Sequence, residues 1–170
     1  MILVHGTPSR SYTWRNVVPK LAARFRVYAF DLLGFGESER RDGLNVSIAA
    51  QASLLAGLVE FWRLEAPAIA GHDIGGGIAL RAHLLGGIEF SRISLIDAVV
   101  LRPWITPTTR HVKAHLNVYR TMPSGSFEAI VGGHLRTASY RPMDEKAFAV
   151  YMEQWRGEIG QKIYLQKDAQ

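Results

Sequence analysis

The sequence contains no cysteine, and this absence removes three kinds of chemistry at once. A chain without thiols has no disulfide framework, no thiolate zinc site and no cysteine nucleophile. It also lacks an apolar run that could cross a membrane, because Gln51 and Glu60 interrupt the best stretch, Ser47 to Trp62. The apolar start, Met1 to Val4, is too short for a secretion signal. We therefore expect a soluble protein of the cytoplasm without a membrane partner.

Charge is spread thinly along the chain. The 170 residues are 48% hydrophobic and 21% charged, which is typical of a folded protein and excludes a disordered one. The net charge is +5 at pH 7, but the lysines and arginines occur singly and without interleaved aromatic residues. This pattern favours solvated surface, so we expect no nucleic-acid partner. The composition indicates no particular oligomeric state.

Short apolar runs alternate with longer amphipathic stretches in the first half of the chain. Four runs have the length and composition of strands buried on both faces: residues 2–4, 26–30, 67–70 and 93–96. Three stretches carry apolar residues at helical spacing, namely Trp14-Val17-Val18-Leu21-Phe25, Leu55-Leu58-Val59-Trp62 and Ile74-Ile78-Ala82-Leu85. Asn45 or Ser47 is available to cap the second of these helices. The order predicts an α/β fold with a parallel sheet, right-handed crossovers and helices on both faces.

The pattern changes after Asp97. From there onward the sequence has helical and loop signals but no run typical of a strand, and Ala147 to Trp155 is apolar-rich and helical. We therefore expect a core formed by residues 1–97 and a mostly helical appendage formed by residues 98–170.

Asp73 lies between the third predicted strand and the helix that follows it. Gly71, Gly75 and Gly76 surround it in the pattern small-x-nucleophile-x-small-small, which is typical of a sharp nucleophile elbow, here with aspartate in place of serine. The adjacent helix N-terminus favours an anion that can attack carbon. The alternative is that Asp73 only caps the helix. The glycine spacing here does not match a dinucleotide-binding loop.

A second loop, His5-Gly6-Thr7-Pro8, follows the first strand. Since it lies beside the elbow in a parallel sheet, it can place the Thr7 N–H next to the Ile74 N–H. Two such donors would face one developing negative oxygen. The alternative is a plain strand-to-helix loop in which His5 packs or forms hydrogen bonds.

Three motifs in order resemble the α/β-hydrolase superfamily, and within it the aspartate-nucleophile branch of haloalkane and haloacetate dehalogenases and epoxide hydrolases. They are His5-Gly6-Thr7-Pro8 with Ser11-Tyr12-Thr13-Trp14-Arg15, then Asp31-Leu32-Leu33-Gly34-Phe35-Gly36-Glu37-Ser38, and Gly71-His72-Asp73-Ile74-Gly75-Gly76. The resemblance implies a partial α/β-hydrolase fold whose helical cap covers a small apolar organic substrate. It implies that Asp73 forms an alkyl-enzyme ester, that the Thr7 and Ile74 amides hold the ester oxygen, and that no cofactor or metal takes part.

The resemblance also bears on the triad acid and the leaving group. In the dehalogenases an acid after the fourth strand can orient the catalytic histidine, which implies Asp97; the alternative is that Asp97 caps the loop into the appendage.

Dehalogenases of the family bind halide through an asparagine and a tryptophan at the positions that here are Thr7 and Ile74. Epoxide hydrolases use cap tyrosines, for which this chain offers Tyr119, Tyr140, Tyr151 and Tyr164. The leaving group therefore stays open between halide, epoxide and ester.

None of the six histidines stands at the position of the family's catalytic histidine. His111 and His115 are spaced i, i+4, but no glutamate follows His111, so a helix-surface pair is favoured over a metal site. We expect this chain to be a fragment of a longer hydrolase, in which the histidine lies outside these residues. The alternative function is a catalytically incomplete fragment or a binding protein of the same fold.

Overall fold

This computed structural model describes residues 1–101 and 105–169, and within them the chain forms two compact units. The first unit comprises residues 1–33 and 47–101, and the second comprises residues 34–46 and 105–169. The elements of the first unit, in chain order, are β1 (Ile2–Val4), a 3-10 helix (Ser11–Trp14), α1 (Val18–Ala22), β2 (Tyr28–Phe30), α2 (Ile48–Phe61), β3 (Ala68–His72), α3 (Ile74–Leu84) and β4 (Arg92–Ile96).

The four strands form one parallel sheet in the order β2-β1-β3-β4. Leu3 of β1 pairs with Ala29 on one side and with Ala70 on the other, and Ala70 in turn pairs with Ser94. The parallel sheet predicted from the sequence is therefore confirmed. Because β1 and β3 are neighbours with the same direction, the loops that follow them begin side by side at one edge of the sheet.

The burial of the strands differs from the prediction. All of β1 and the middle of β3 are buried, as expected. The prediction was wrong for β4, where four of five residues are exposed, and for the centre of β2, where Ala29 is exposed. The reason is their place in the sheet, since each of these two outer strands has one strand neighbour in the part of the chain that the structure describes.

The two longer helices of the first unit, α2 and α3, begin where the sequence predicted. Ser47, and not Asn45, caps α2, because its side chain accepts a hydrogen bond from the Ala50 N–H. The continuous helix expected between Trp14 and Phe25 is instead a 3-10 turn followed by the short α1. Pro19 explains this difference, since it has no N–H to donate and is tolerated only in the first turn of a helix.

The second unit is helical between residues 105 and 169. Its helices are α4 (Pro107–Ala114), α5 (Leu116–Thr121), α6 (Ser124–Thr137), α7 (Glu145–Glu153) and α8 (Gly157–Ala169). No strand follows β4 in the described residues, as the sequence predicted. The boundary placed at residue 98, and the function of the helices as a cap, stay predictions.

The segment Gly34–Val46 belongs to the second unit, although it lies between β2 and α2 in the chain. The buried Gln154 accepts a hydrogen bond from the Gly36 N–H at 2.7 Å, and Phe35 packs edge-to-face on Trp155 with ring centroids 5.4 Å apart. The sequence division into residues 1–97 and 98–170 did not contain this grouping. Across both described parts of the chain, no helix is long and apolar enough to cross a membrane.

Candidate active site

Asp73 is the single residue between β3 and α3. Its backbone has φ 54° and ψ −123°, a conformation that costs a non-glycine residue roughly 1–3 kcal/mol. Three hydrogen bonds hold it there. The Asp73 N–H donates to the Ile96 carbonyl at 3.1 Å, and the Asp73 carbonyl accepts from the Val99 N–H at 3.0 Å and the Gly76 N–H at 3.1 Å. The turn is therefore strained, and hydrogen bonds to the N–H and to the carbonyl of Asp73 hold it in this conformation.

The Asp73 side chain does not cap α3, since it makes no hydrogen bond to the first turn of the helix. The alternative interpretation of Asp73 as a simple helix cap is therefore wrong. Instead, the Thr7 N–H donates a hydrogen bond to its Oδ1 at 2.7 Å. This length is short for an N–H donor and is typical of a charge-assisted bond to a carboxylate.

The glycines around Asp73 allow three backbone segments to approach one another. A Cβ on Gly75 would lie 2.5 Å from the Val4 carbonyl oxygen, and a Cβ on Gly71 would lie 2.6 Å from the Gly76 nitrogen. A Cβ on Gly6 would lie 2.7 Å from the Asp73 carboxylate oxygen. Real Cβ atoms essentially never show such distances. The chain therefore needs glycine at these positions so that α3 can approach β1 and β3, and so that the loop after β1 can approach Asp73.

The structure brings Thr7 and Asp73 together but pairs the carboxylate with only one of the two predicted donors. Ile74 is the first residue of α3 and is half-buried beside Asp73. Its N–H makes no hydrogen bond to the carboxylate among the contacts of the described residues. The N–H is nevertheless one of the donors that the start of a helix leaves without an intrahelical partner. Its role as a second donor stays a prediction.

His5 is completely buried and links the ends of β1 and β2. Its Nε2 accepts a hydrogen bond from the Leu32 N–H at 2.9 Å, so its proton must be on Nδ1, which lies 2.9 Å from the Gly6 carbonyl oxygen. Burial lowers the pKa of His5 to about 4. His5 is therefore neutral near pH 7 and acts through these two hydrogen bonds.

This buried histidine predicts a loss of stability in mild acid. Its pKa is about 4 in the folded state and 6.5 in the unfolded state. Between these two pH values, His5 of the unfolded chain therefore binds a proton and His5 of the folded chain does not. The stabilising contribution of neutral His5 is present above pH 6.5 and decreases as the pH falls towards 4, by roughly 3 kcal/mol in total. Urea unfolding at a series of pH values measures the slope. We expect His5→Gln to reduce that slope and the exposed His111→Gln to leave it unchanged; equal slopes for all three proteins would contradict this.

Asp97 directly follows β4 and is exposed, with φ 44°. It lies between Ile96 and Val99, whose backbone groups bond to the backbone of Asp73. The structure shows no hydrogen bond between its side chain and Asp73, and its role as a triad acid stays a prediction. His72, the residue before Asp73, is half-buried, and its Nδ1 is buried without a hydrogen-bond partner.

The sequence predicted no separate role for Asp31, yet in the structure its carboxylate binds the end of the loop that carries Thr7. Asp31 Oδ1 accepts a hydrogen bond from the Ser11 N–H at 2.7 Å. The signals in the sequence were its place directly after an apolar run and at the start of the second of the three motifs. The described residues contain no group of three or more histidine, aspartate or glutamate side chains that could hold a metal. His111 and His115 are exposed, with their rings 4.6 Å apart.

Comparisons with known proteins agree with this architecture. Haloalkane dehalogenase 2 of Mycobacterium tuberculosis is 32% identical over 125 residues, which cover 72% of this chain and 42% of that protein. A crystal structure of an alpha/beta hydrolase fold protein from Burkholderia ambifaria superimposes with a TM-score of 0.95 at 35% identity, covering 99% of this chain and 62% of that one. The epoxide hydrolase CorEH shares the fold at a TM-score of 0.73 and 22% identity, with 99% and 64% of the two chains covered.

The chain thus spans less than two thirds of the length of each of these proteins. The Alpha/beta hydrolase family profile matches residues 1–161, which include the first unit, most of the second unit and every residue of the Asp73 site. The fold predicted from the three motifs and their resemblance to the α/β-hydrolase superfamily are confirmed. The chain belongs to the alpha/beta hydrolase family.

Proposed function

We propose that Asp73 is the nucleophile of a hydrolase that forms an alkyl-enzyme ester with a small apolar organic substrate, in a dehalogenase-like reaction. The proposal rests on the position and the contacts of the Asp73 carboxylate. It stands on a strained turn, it leaves α3 uncapped, and it accepts the Thr7 N–H at 2.7 Å. Strain of this kind persists only where the surrounding structure holds the backbone firmly, and strained residues cluster at active sites.

In the first step the second carboxylate oxygen attacks. The Thr7 N–H occupies Oδ1, whereas Oδ2 has no hydrogen-bond donor among the described residues. A lone pair of Oδ2 forms a bond to the electrophilic carbon, the carbon–halogen bond breaks, and the halide leaves with the bonding electrons. The product is an ester between Asp73 and the alkyl group.

In the second step water attacks the carbonyl carbon of the ester. The negative charge develops on Oδ1, which already faces the Thr7 N–H, and the Ile74 N–H at the start of α3 is the second donor. A base must remove a proton from the water. The bond between Cγ and Oδ2 then breaks, the alcohol leaves with Oδ2 and takes a proton from the protonated base, and the carboxylate of Asp73 is regenerated with one oxygen from water. We propose that Asp97 orients this base, because it follows β4 directly and the residues on either side of it bond to the turn of Asp73.

Epoxide opening is the second candidate function, and the residue after the nucleophile favours it. Ile74 has no side-chain donor that could bind a departing halide, and an epoxide releases none. Asp73 would attack a ring carbon, and the ring oxygen would keep the electron pair of the broken bond and take a proton. Of the tyrosines considered for that proton, Tyr140 is fully exposed and Tyr164 is buried with its hydroxyl 2.7 Å from His134 Nδ1.

Mass spectrometry of the intact chain tests the proposal. The protein is incubated separately with a primary alkyl bromide and with a terminal epoxide, and any adduct is located by peptide mapping. We expect an adduct on the peptide that contains Asp73. The alkyl bromide adds its alkyl group with loss of bromide, whereas the epoxide adds its whole mass, so the mass distinguishes the two reactions.

The same protein unfolded in urea is the control, because selective labelling of Asp73 requires the folded turn. Labelling spread over many carboxylates, or no adduct at all in the folded chain, would contradict the nucleophile and favour a binding protein of the same fold. The cytoplasmic location and the absence of cofactors, nucleic-acid partners and membrane partners stay predictions from the sequence.

A further inference from the structure

Both ends of the loop that carries Thr7 form hydrogen bonds to the residues that directly follow β2. At its first end, the buried His5 accepts the Leu32 N–H at 2.9 Å. At its other end, the Ser11 N–H donates to Asp31 Oδ1 at 2.7 Å. Asp31 and Leu32 are adjacent residues directly after β2. The loop therefore spans residues 5–11 between two neighbouring anchor points.

The second anchor is a buried carboxylate with a cation beside it. Arg10 Nη2 lies 3.4 Å from Asp31 Oδ2, and the two side chains are only 10% and 8% exposed. A carboxylate with so little access to water is retained when hydrogen bonds and an opposite charge compensate its lost hydration. Its two oxygens receive the main-chain N–H of Ser11 and the guanidinium of Arg10, both from the far end of the loop.

Within the loop, one hydrogen bond closes the turn that contains Thr7 and ends next to the residues of this anchor. Ser9 Oγ donates to the Gly6 carbonyl at 2.9 Å, and Gly6 lies directly against Asp73. Because Thr7 lies inside this turn, the position of its N–H depends on the backbone of residues 6–9. An anchor at residues 10 and 11 limits how far that backbone can move away from the carboxylate.

We propose that Asp31 is a positioning residue that holds the Thr7 N–H in place against the Asp73 carboxylate. Its importance for catalysis rests on the proposed function, in which that N–H stabilises charge on the ester oxygen. The positioning itself does not depend on the reaction, because it is a property of the folded loop. Asp31 touches neither Asp73 nor the reacting atoms in this scheme and acts only through the loop.

Amide hydrogen exchange measured by NMR on the full chain tests the positioning. Asp31→Ala is expected to raise the exchange rate of the Thr7 N–H about tenfold or more, because the donor spends more time away from its acceptor. The Leu3 N–H in β1 is expected to keep its rate, since the sheet is intact. Asp31→Asn, which retains an acceptor for the Ser11 N–H, is expected to give a smaller increase. The exposed Asp42→Ala is the matched control and should leave Thr7 unchanged.

The proposal is overturned if Asp31→Ala exchanges faster at Ser11 but stays within about twofold of the parent at Thr7, since the anchor would then act only locally. Uniformly faster exchange at Leu3 and Thr7 would likewise overturn it, since Asp31 would then stabilise the unit as a whole. Should Asp31→Ala not fold, Asp31→Asn and Arg10→Gln give the same comparison of Thr7 with Leu3. A parent chain that forms no Asp73 adduct would refute the proposed function and leave this exchange result intact.

Discussion

Asp73→Asn is expected to reduce the rate of adduct formation at this position by at least about three orders of magnitude, with no comparable loss of stability. The amide has no negative charge and is a far weaker nucleophile than the carboxylate. Its oxygen can still accept the Thr7 N–H at the place where Oδ1 now lies 2.7 Å away. The measurement is the rate of adduct formation with the alkyl bromide or epoxide that labels the parent chain.

Two comparisons make this result specific. The free energy of unfolding of Asp73→Asn should stay within about 1 kcal/mol of the parent, because shape and hydrogen bonding are retained. Asp97→Asn should still form the adduct, since the proposed role of Asp97 is in the later hydrolysis of the ester. An Asp73→Asn protein that is labelled on the same peptide as fast as the parent would show that another group is the nucleophile.

The relation between Asp73 and Thr7 could be predicted from the sequence because it depends on few steps. The alternation of apolar runs and helical stretches predicted a parallel sheet, and the loops after parallel strands lie at one edge of such a sheet. The glycines beside Asp73 predicted a tight turn. The structure then supplied what a pattern of letters does not contain, namely that the carboxylate accepts the Thr7 N–H and leaves α3 uncapped.

Other features depend on contacts between distant parts of the chain, and these were missed. Gly36 bonds to Gln154, which lies 118 residues later, and this contact helps to place the segment Gly34–Val46 in the helical unit. Apolar runs cannot report which strand is central, so the exposure of β4 was not predicted. The role of Asp31 was hidden for the same reason, because its partner Ser11 is identified only by the fold.

Gly75→Ala is expected to lower the free energy of unfolding by about 3 kcal/mol, which is large for the addition of one methyl group. Its Cβ would lie 2.5 Å from the Val4 carbonyl oxygen and 2.6 Å from the His5 carbonyl oxygen. Both neighbours are backbone atoms, one in β1 and one in the loop after it. They cannot move aside as the end of a flexible side chain could. The start of α3 must therefore shift away from β1, which also separates Asp73 from Thr7.

Gly57→Ala provides the matched control, because Gly57 also lies in a helix of the first unit, is exposed, and has no atom within 4 Å of its added Cβ. There the same methyl group only restricts the unfolded chain and is expected to raise the free energy of unfolding by about 0.5–1 kcal/mol. Urea unfolding followed by circular dichroism measures both variants against the parent. Opposite signs would locate the cost of Gly75→Ala in the contact between α3 and β1. A loss of less than about 1 kcal/mol for Gly75→Ala would mean that the elbow can relax, and that its close approach to β1 does not hold Asp73 in place.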